Sequence, residues 1–110
     1  MPLQRTETYT TTGTKGSWNC DPSIAPFQVS IAAVLTGGPI SYSLQYSYDT
    51  LDDPTLTDAS ATWFDSTDIP AGTTASGEAN FATPIARIRI VIVSITGSLK
   101  VTMLQGMSIN

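Results

Sequence analysis

Side chains able to do covalent or acid–base chemistry are few in this chain of 110 residues. Histidine is absent, which removes the Ser-His-Asp and Cys-His pairs that activate most nucleophiles. Cys20 is the single cysteine, so no intrachain disulfide forms. Its nearest base in sequence is Lys15, on the far side of Gly16, and the thiol reads as a small, partly buried one. No glycine-rich phosphate loop with its lysine is present, and Gly37-Gly38-Pro39 reads as a turn. Six aspartates, Asp49, Asp52, Asp53, Asp58, Asp65 and Asp68, crowd one stretch. Loop carboxylates of this kind suit Ca²⁺, but the EF-hand order of ligands and its central glycine are missing, so a solvated acidic loop is expected. A glycosidase pair would need a groove and one raised pKa, and the sequence shows neither. The expectation is a protein without catalytic residues, metal or cofactor, and not an enzyme.

Binding chemistry is better represented. Tyr42, Tyr46, Tyr48, Trp18 and Trp63 could stack on the apolar faces of sugars. The competing reading is packing with hydroxyls at the rim, because Tyr42 and Tyr46 flank Leu44 on what reads as a core face. Arg87 and Arg89 leave the same face of one strand and could grip partner carboxylates. They could equally lie over their own aliphatic neighbours.

The element that must carry those arginines is residues 84–95, PIARIRIVIVSI. This β-branched run is more strand than helix. Alternation puts Ala86, Ile88, Ile90 and Ile92 on one face, purely apolar and destined for a core. Ile85, Arg87, Arg89, Val91, Val93 and Ile95 take the other face, half-apolar and therefore expected to be covered by the rest of the chain or by a partner.

The other strands follow the same alternation. Residues 3–12 are Thr-rich, with Leu3, Arg5, Glu7 and Tyr9 on one parity. They read as an edge strand, as an arm pairing with another subunit, or as a frayed terminus. Gly13 and Gly16 bracket an expected turn before a short strand at 17–20 anchored by Trp18. Residues 21–26 hold two prolines and read as a loop. Residues 27–35 and 40–48 alternate cleanly and are expected to form an antiparallel hairpin. Further strands are expected at 61–64, 78–82 and 99–105. The total is seven or eight short strands, no helix and no internal repeat. Such a pattern predicts an all-β fold, an antiparallel β-sandwich of jelly-roll-like form, in a single domain over 1–110.

Composition bounds the partners. Charged residues make up 13% of the chain and the net charge is −4, with five basic residues in all. That argues against a nucleic-acid surface. The longest apolar run is too short for a membrane helix. The first ten residues, MPLQRTETYT, contain no apolar core of a secretory signal. A soluble chain made in a cytoplasm is expected.

Three segments carry a resemblance: SLQYSYD (43–49) leading through the acidic loop into ATWFD (61–65), FATPIARIRIVI (81–92), and SLKVTMLQG (98–106). In these, and in length and strand order from about residue 29 to 106, the chain resembles the head decoration, or cement, proteins of short-tailed bacteriophages. The resemblance implies a jelly-roll domain that oligomerises, a dimer being favoured. It implies a place on the virion, at the capsid exterior, bridging neighbouring copies of the major capsid protein after assembly in the host cytoplasm. It defines no contact residues. From this sequence alone the partner-binding residues are expected to be Leu3, Arg5, Tyr9, Ile85, Arg87, Arg89 and Val91. The alternative is a carbohydrate-binding or tail- or fibre-associated β-sandwich module.

Overall fold

A computed structural model describes residues 3–20, 28–49, 61–82 and 85–105. Among them run nine strands: β1 (Leu3–Tyr9), β2 (Gly13–Thr14), β3 (Trp18–Asn19), β4 (Val29–Thr36), β5 (Ile40–Ser47), β6 (Phe64–Asp65), β7 (Gly77–Phe81), β8 (Arg87–Ile95) and β9 (Ser98–Gln105). They form two antiparallel sheets. One has the order β1-β9-β4-β7; the other runs β2-β8-β5-β6, with β3 also on β8. The pairings are nested: β1 with β9, β2 and β3 with β8, β4 with β7, β5 with β6. The extra contacts β4–β9 and β5–β8 roll that long double ribbon into a jelly roll.

The core lies between the sheets and follows from alternation. Val29, Ile31 and Ala33 of β4, Ala79 of β7 and Leu99, Val101 and Met103 of β9 face Tyr42 and Leu44 of β5 and Ile88, Ile90 and Ile92 of β8, all buried. Trp18 is a buried anchor on β3, opposite Ile88.

Three sequence expectations change. First, 27–35 and 40–48 do not form a hairpin: β4 and β5 belong to different sheets. The turn at 37–39 is a corner that carries the chain from one sheet to the other. It packs against the matching corner at Gly97, where Thr96 N–H donates to the Pro39 carbonyl (2.9 Å). Second, Gly13 does not bracket a turn. It pairs with Ile92, and Lys15 N–H donates to the Ile90 carbonyl (2.8 Å). β2 and β3 thus act as one interrupted strand along β8. Third, the parity of 84–95 breaks twice. A bulge beside Ser41/Tyr42 leaves Val93 without an opposite residue, and an extra residue reverses the faces beyond it. Ile95 therefore packs on the core while Val93 stays exposed. At the other end Ile85 precedes β8 and is buried in the core.

Candidate interaction surfaces

The outer face of the five-stranded sheet holds the expected arginines, and it splits in two. Arg87 is 2% exposed, and Ser47 opposite it on β5 is also buried, as is Ser43 opposite Val91. Ile85 is 1% exposed within the core. Ile85 and Arg87, both expected to meet a partner, are therefore both buried in this chain. Half of that face is covered by this chain itself.

Arg89 and Val91 are half-buried and continue to the exposed Val93. Arg89 is held by two side chains, Gln45 and Trp63. Its Nε–H donates to Gln45 Oε1 (2.7 Å), and Gln45 Nε2 donates in turn to Asp65 Oδ1 (3.0 Å). Trp63 lies against the guanidinium, 4.1 Å from Cζ to ring centroid. The chain of contacts crosses β8, β5 and β6 in register, because Gln45 pairs with both Arg89 and Asp65. Arg89 thus lies over its own neighbours, with its Nε–H engaged by Gln45.

Of the expected residues of the first strand, Arg5 and Tyr9 face the gap between the sheets. Leu3 has a described register position but no described side chain; it pairs with Gln105. Arg5 is exposed, with its Cζ 4.9 Å from the centroid of the buried Trp18 ring. Tyr9 is half-buried against the core, with Lys15 Nζ 5.6 Å from its ring centroid. Burial pushes the Tyr9 hydroxyl above its usual pKa, with Glu7 adding to the rise and Trp18 and Arg5 opposing it. These contacts close one side of the sandwich. They leave the opposite parity, Gln4, Thr6 and Thr8, exposed on the outer face.

An aromatic cluster closes the other side. Tyr46 contacts Phe81 (5.2 Å), Phe64 (5.8 Å) and Tyr48 (5.8 Å) between ring centroids. Beside it lies a cavity of ≈ 210 Å³ lined by Tyr46, Tyr48, Asp68, Asn80 and Phe81, among others. That is smaller than the roughly 300–1,000 Å³ of sites for drug-sized ligands. Of the aromatics considered for sugar stacking, Trp18 and Tyr42 are buried, and the Tyr42 hydroxyl donates to the Ala75 carbonyl (2.8 Å). Tyr48 is half exposed.

The outer face of the four-stranded sheet was missed by sequence reasoning. Strand registers place Leu104 beside Gln4 and Ser30, Thr102 beside Thr6 and Ala32, and Lys100 beside Thr8 and Val34. Val34 and Leu104 are 50% and 44% exposed. The signal was present as the even positions of 28–36 and 98–104, but pairing of these two segments could not be read without the topology.

The acidic stretch does not converge where it is described. Asp49 Oδ2 accepts Thr62 N–H (2.6 Å) and the Ser47 hydroxyl (3.3 Å), whereas Asp65 accepts from Gln45. Among the described residues no three of His, Cys, Asp and Glu come together; Asp52, Asp53 and Asp58 lie outside them. Cys20 is buried, 3.8 Å from the Met103 sulfur, and burial pushes its pKa up to about 12. A thiol so far from ionisation is a poor nucleophile. No helix among the described residues is long and apolar enough to cross a membrane. No protein-family model, curated protein or solved structure matches the chain.

Proposed function

We propose that the chain is a structural capsid-decoration protein, which lies on the outside of a phage head and staples neighbouring major capsid subunits. The observation that supports this most is the outer face of β1-β9-β4-β7. It has exposed Val34 and Leu104, and Ala32 and Thr102 between them. The charges on it are Lys100, between Thr8 and Val34, and Glu78 beside Ala32 on the edge strand β7. Such a face buries area against a flat partner at little desolvation cost. Beside Val34 a shallow depression of ≈ 290 Å³, lined also by Ser76, Gly77 and Glu78, offers a seat for one protruding side chain.

The test is co-sedimentation of the purified chain with DNA-free expanded heads of short-tailed phages. Saturable binding at a fixed copy number supports the reading, with loss in Val34→Asp plus Leu104→Asp and retention in Val93→Asp, on the opposite sheet. Absence of saturable binding to every head tried overturns it.

A second reading, glycan binding, is favoured by the half-exposed Tyr48 beside the cavity that Asp68 and Asn80 share. An aromatic ring with a carboxylate and an amide matches one sugar ring with its hydroxyls. Chemical-shift changes confined to Tyr48, Asp68 and Asn80 on a glycan array's best hit would support it; shifts nowhere would remove it.

A further inference from the structure

Among the described strands, β1 is the one long free edge. It has seven residues, against five for β7 and two each for β2, β3 and β6. Its register with β9 runs without a bulge from Leu3↔Gln105 to Tyr9↔Leu99. It contains no proline, and the side chains of Gln4, Arg5, Thr6, Glu7 and Thr8 are all exposed. A flat edge of this length presents unpaired backbone N–H and C=O groups to another strand.

We propose that a second copy of this chain pairs with β1 antiparallel across a two-fold axis at Thr6, joining two four-stranded sheets into one continuous sheet. Charge fixes the register. Pairing that keeps both core faces on the same side must be centred on a residue. Centring on Arg5 sets two arginines opposite each other, and centring on Glu7 sets two glutamates opposite each other. Directly opposed like charges are destabilising. Centring on Thr6 sets Arg5 opposite Glu7 of the second copy, and Glu7 opposite its Arg5. It also uses the whole strand, since Leu3 then falls opposite Tyr9 and Gln4 opposite Thr8.

The inward charges that discourage indiscriminate pairing of an edge thus select this one register. Arg5 holds its guanidinium carbon 4.9 Å from the centroid of the Trp18 ring, and the in-plane N–H groups of a guanidinium are the ones that meet a carboxylate. An isologous contact of this kind closes on itself and does not propagate into a fibre.

This pairing is independent of the capsid reading; loss of head binding with an intact dimer would remove that reading alone. The experiment is light scattering of the full chain across micromolar to millimolar concentration, with three variants. A concentration-dependent dimer is expected. Arg5→Glu and Glu7→Arg should each weaken it about ten-fold, because each opposes like charges twice. The double swap, Arg5→Glu with Glu7→Arg, should restore it, which separates a lost pair from a misfolded chain. Thr6→Cys should form a disulfide-linked dimer under mild oxidation while Thr8→Cys does not; Cys20 is buried and silent. A monomer at every concentration, a dimer indifferent to both charge reversals, or cross-linking through Thr8→Cys in place of Thr6→Cys overturns the proposal.

Discussion

The guanidinium carbon of Arg89 lies 4.1 Å from the centroid of the Trp63 ring, and its Nε–H is held by Gln45. The pair pins the segment leading into β6 onto the outer face of β8. A half-buried cation–π contact of this kind is worth about 1 kcal/mol. A double-mutant cycle with Arg89→Met and Trp63→Leu should therefore give a coupling of about 0.5–1.5 kcal/mol in urea unfolding. Additive single effects would mean that the two side chains are merely neighbours.

The corner at Gly97 should be the least tolerant turn. Gly97 has φ +104, and a Cβ there would meet the Thr36 carbonyl and the Gly37 backbone. Both the backbone conformation and the space exclude a side chain. Gly97→Ala should cost about 2–4 kcal/mol. Gly72 has φ +85 but nothing within 4 Å of its Cβ position, so Gly72→Ala should cost only about 1 kcal/mol. Equal losses in thermal denaturation would show that the corner-to-corner packing matters less than backbone strain.

Most of the strands were legible because alternation is a local signal. Residues 40–48 became β5 with Tyr42 and Leu44 inward, and 99–105 became β9 with Leu99, Val101 and Met103 inward. What failed was non-local. The adjacency of β4 and β5 in sequence implied a hairpin, but a jelly roll separates them into two sheets. The bulge at Val93 could not be seen either, because an extra residue leaves the composition of 84–95 unchanged while reversing the faces of the residues beyond it. Arg87 is the sharpest case at the site. It lies opposite Ser47 of β5 and Asn19 of β3 and is buried there, and neither neighbour could be assigned to it from sequence spacing. For the same reason the β4–β9 face could not be read as one surface.

Asp49 should matter as a clasp. Its carboxylate joins the end of β5 to the backbone of Thr62, spanning residues 50–61. Asp49→Ala removes a charged acceptor and hands the exposed Thr62 N–H to water, at a cost of about 0.5–1.5 kcal/mol. Asp49→Asn keeps an acceptor and should lose less than half of that. If hydrogen exchange at Thr62 is as slow in the alanine variant as in the parent, the clasp has no such role.

Alkaline pH should unfold the protein through its buried acids. Burial pushes the Cys20 thiol from 9.0 to about 12, and it also raises the hydroxyls of Tyr42 and Tyr9 from 10.0. Well below pH 9 these groups are protonated in both states and contribute no slope. Above it the unfolded chain releases the Cys20 proton while the folded chain keeps it, so the folded state binds more protons and stability falls as pH rises. The loss is about 1.4 kcal/mol per pH unit for each such group. The urea midpoint should be flat from about pH 7 to about pH 8.5 and then decline, first with the slope of one proton. The slope should steepen as the tyrosines join above pH 10. In Cys20→Ala the first phase should vanish and the decline should begin only with the tyrosines, whatever the variant's stability at neutral pH. An unchanged onset in that variant would show that the thiol ionises as readily in the folded chain as in the unfolded one, and that the contact with Met103 does not seal it from water.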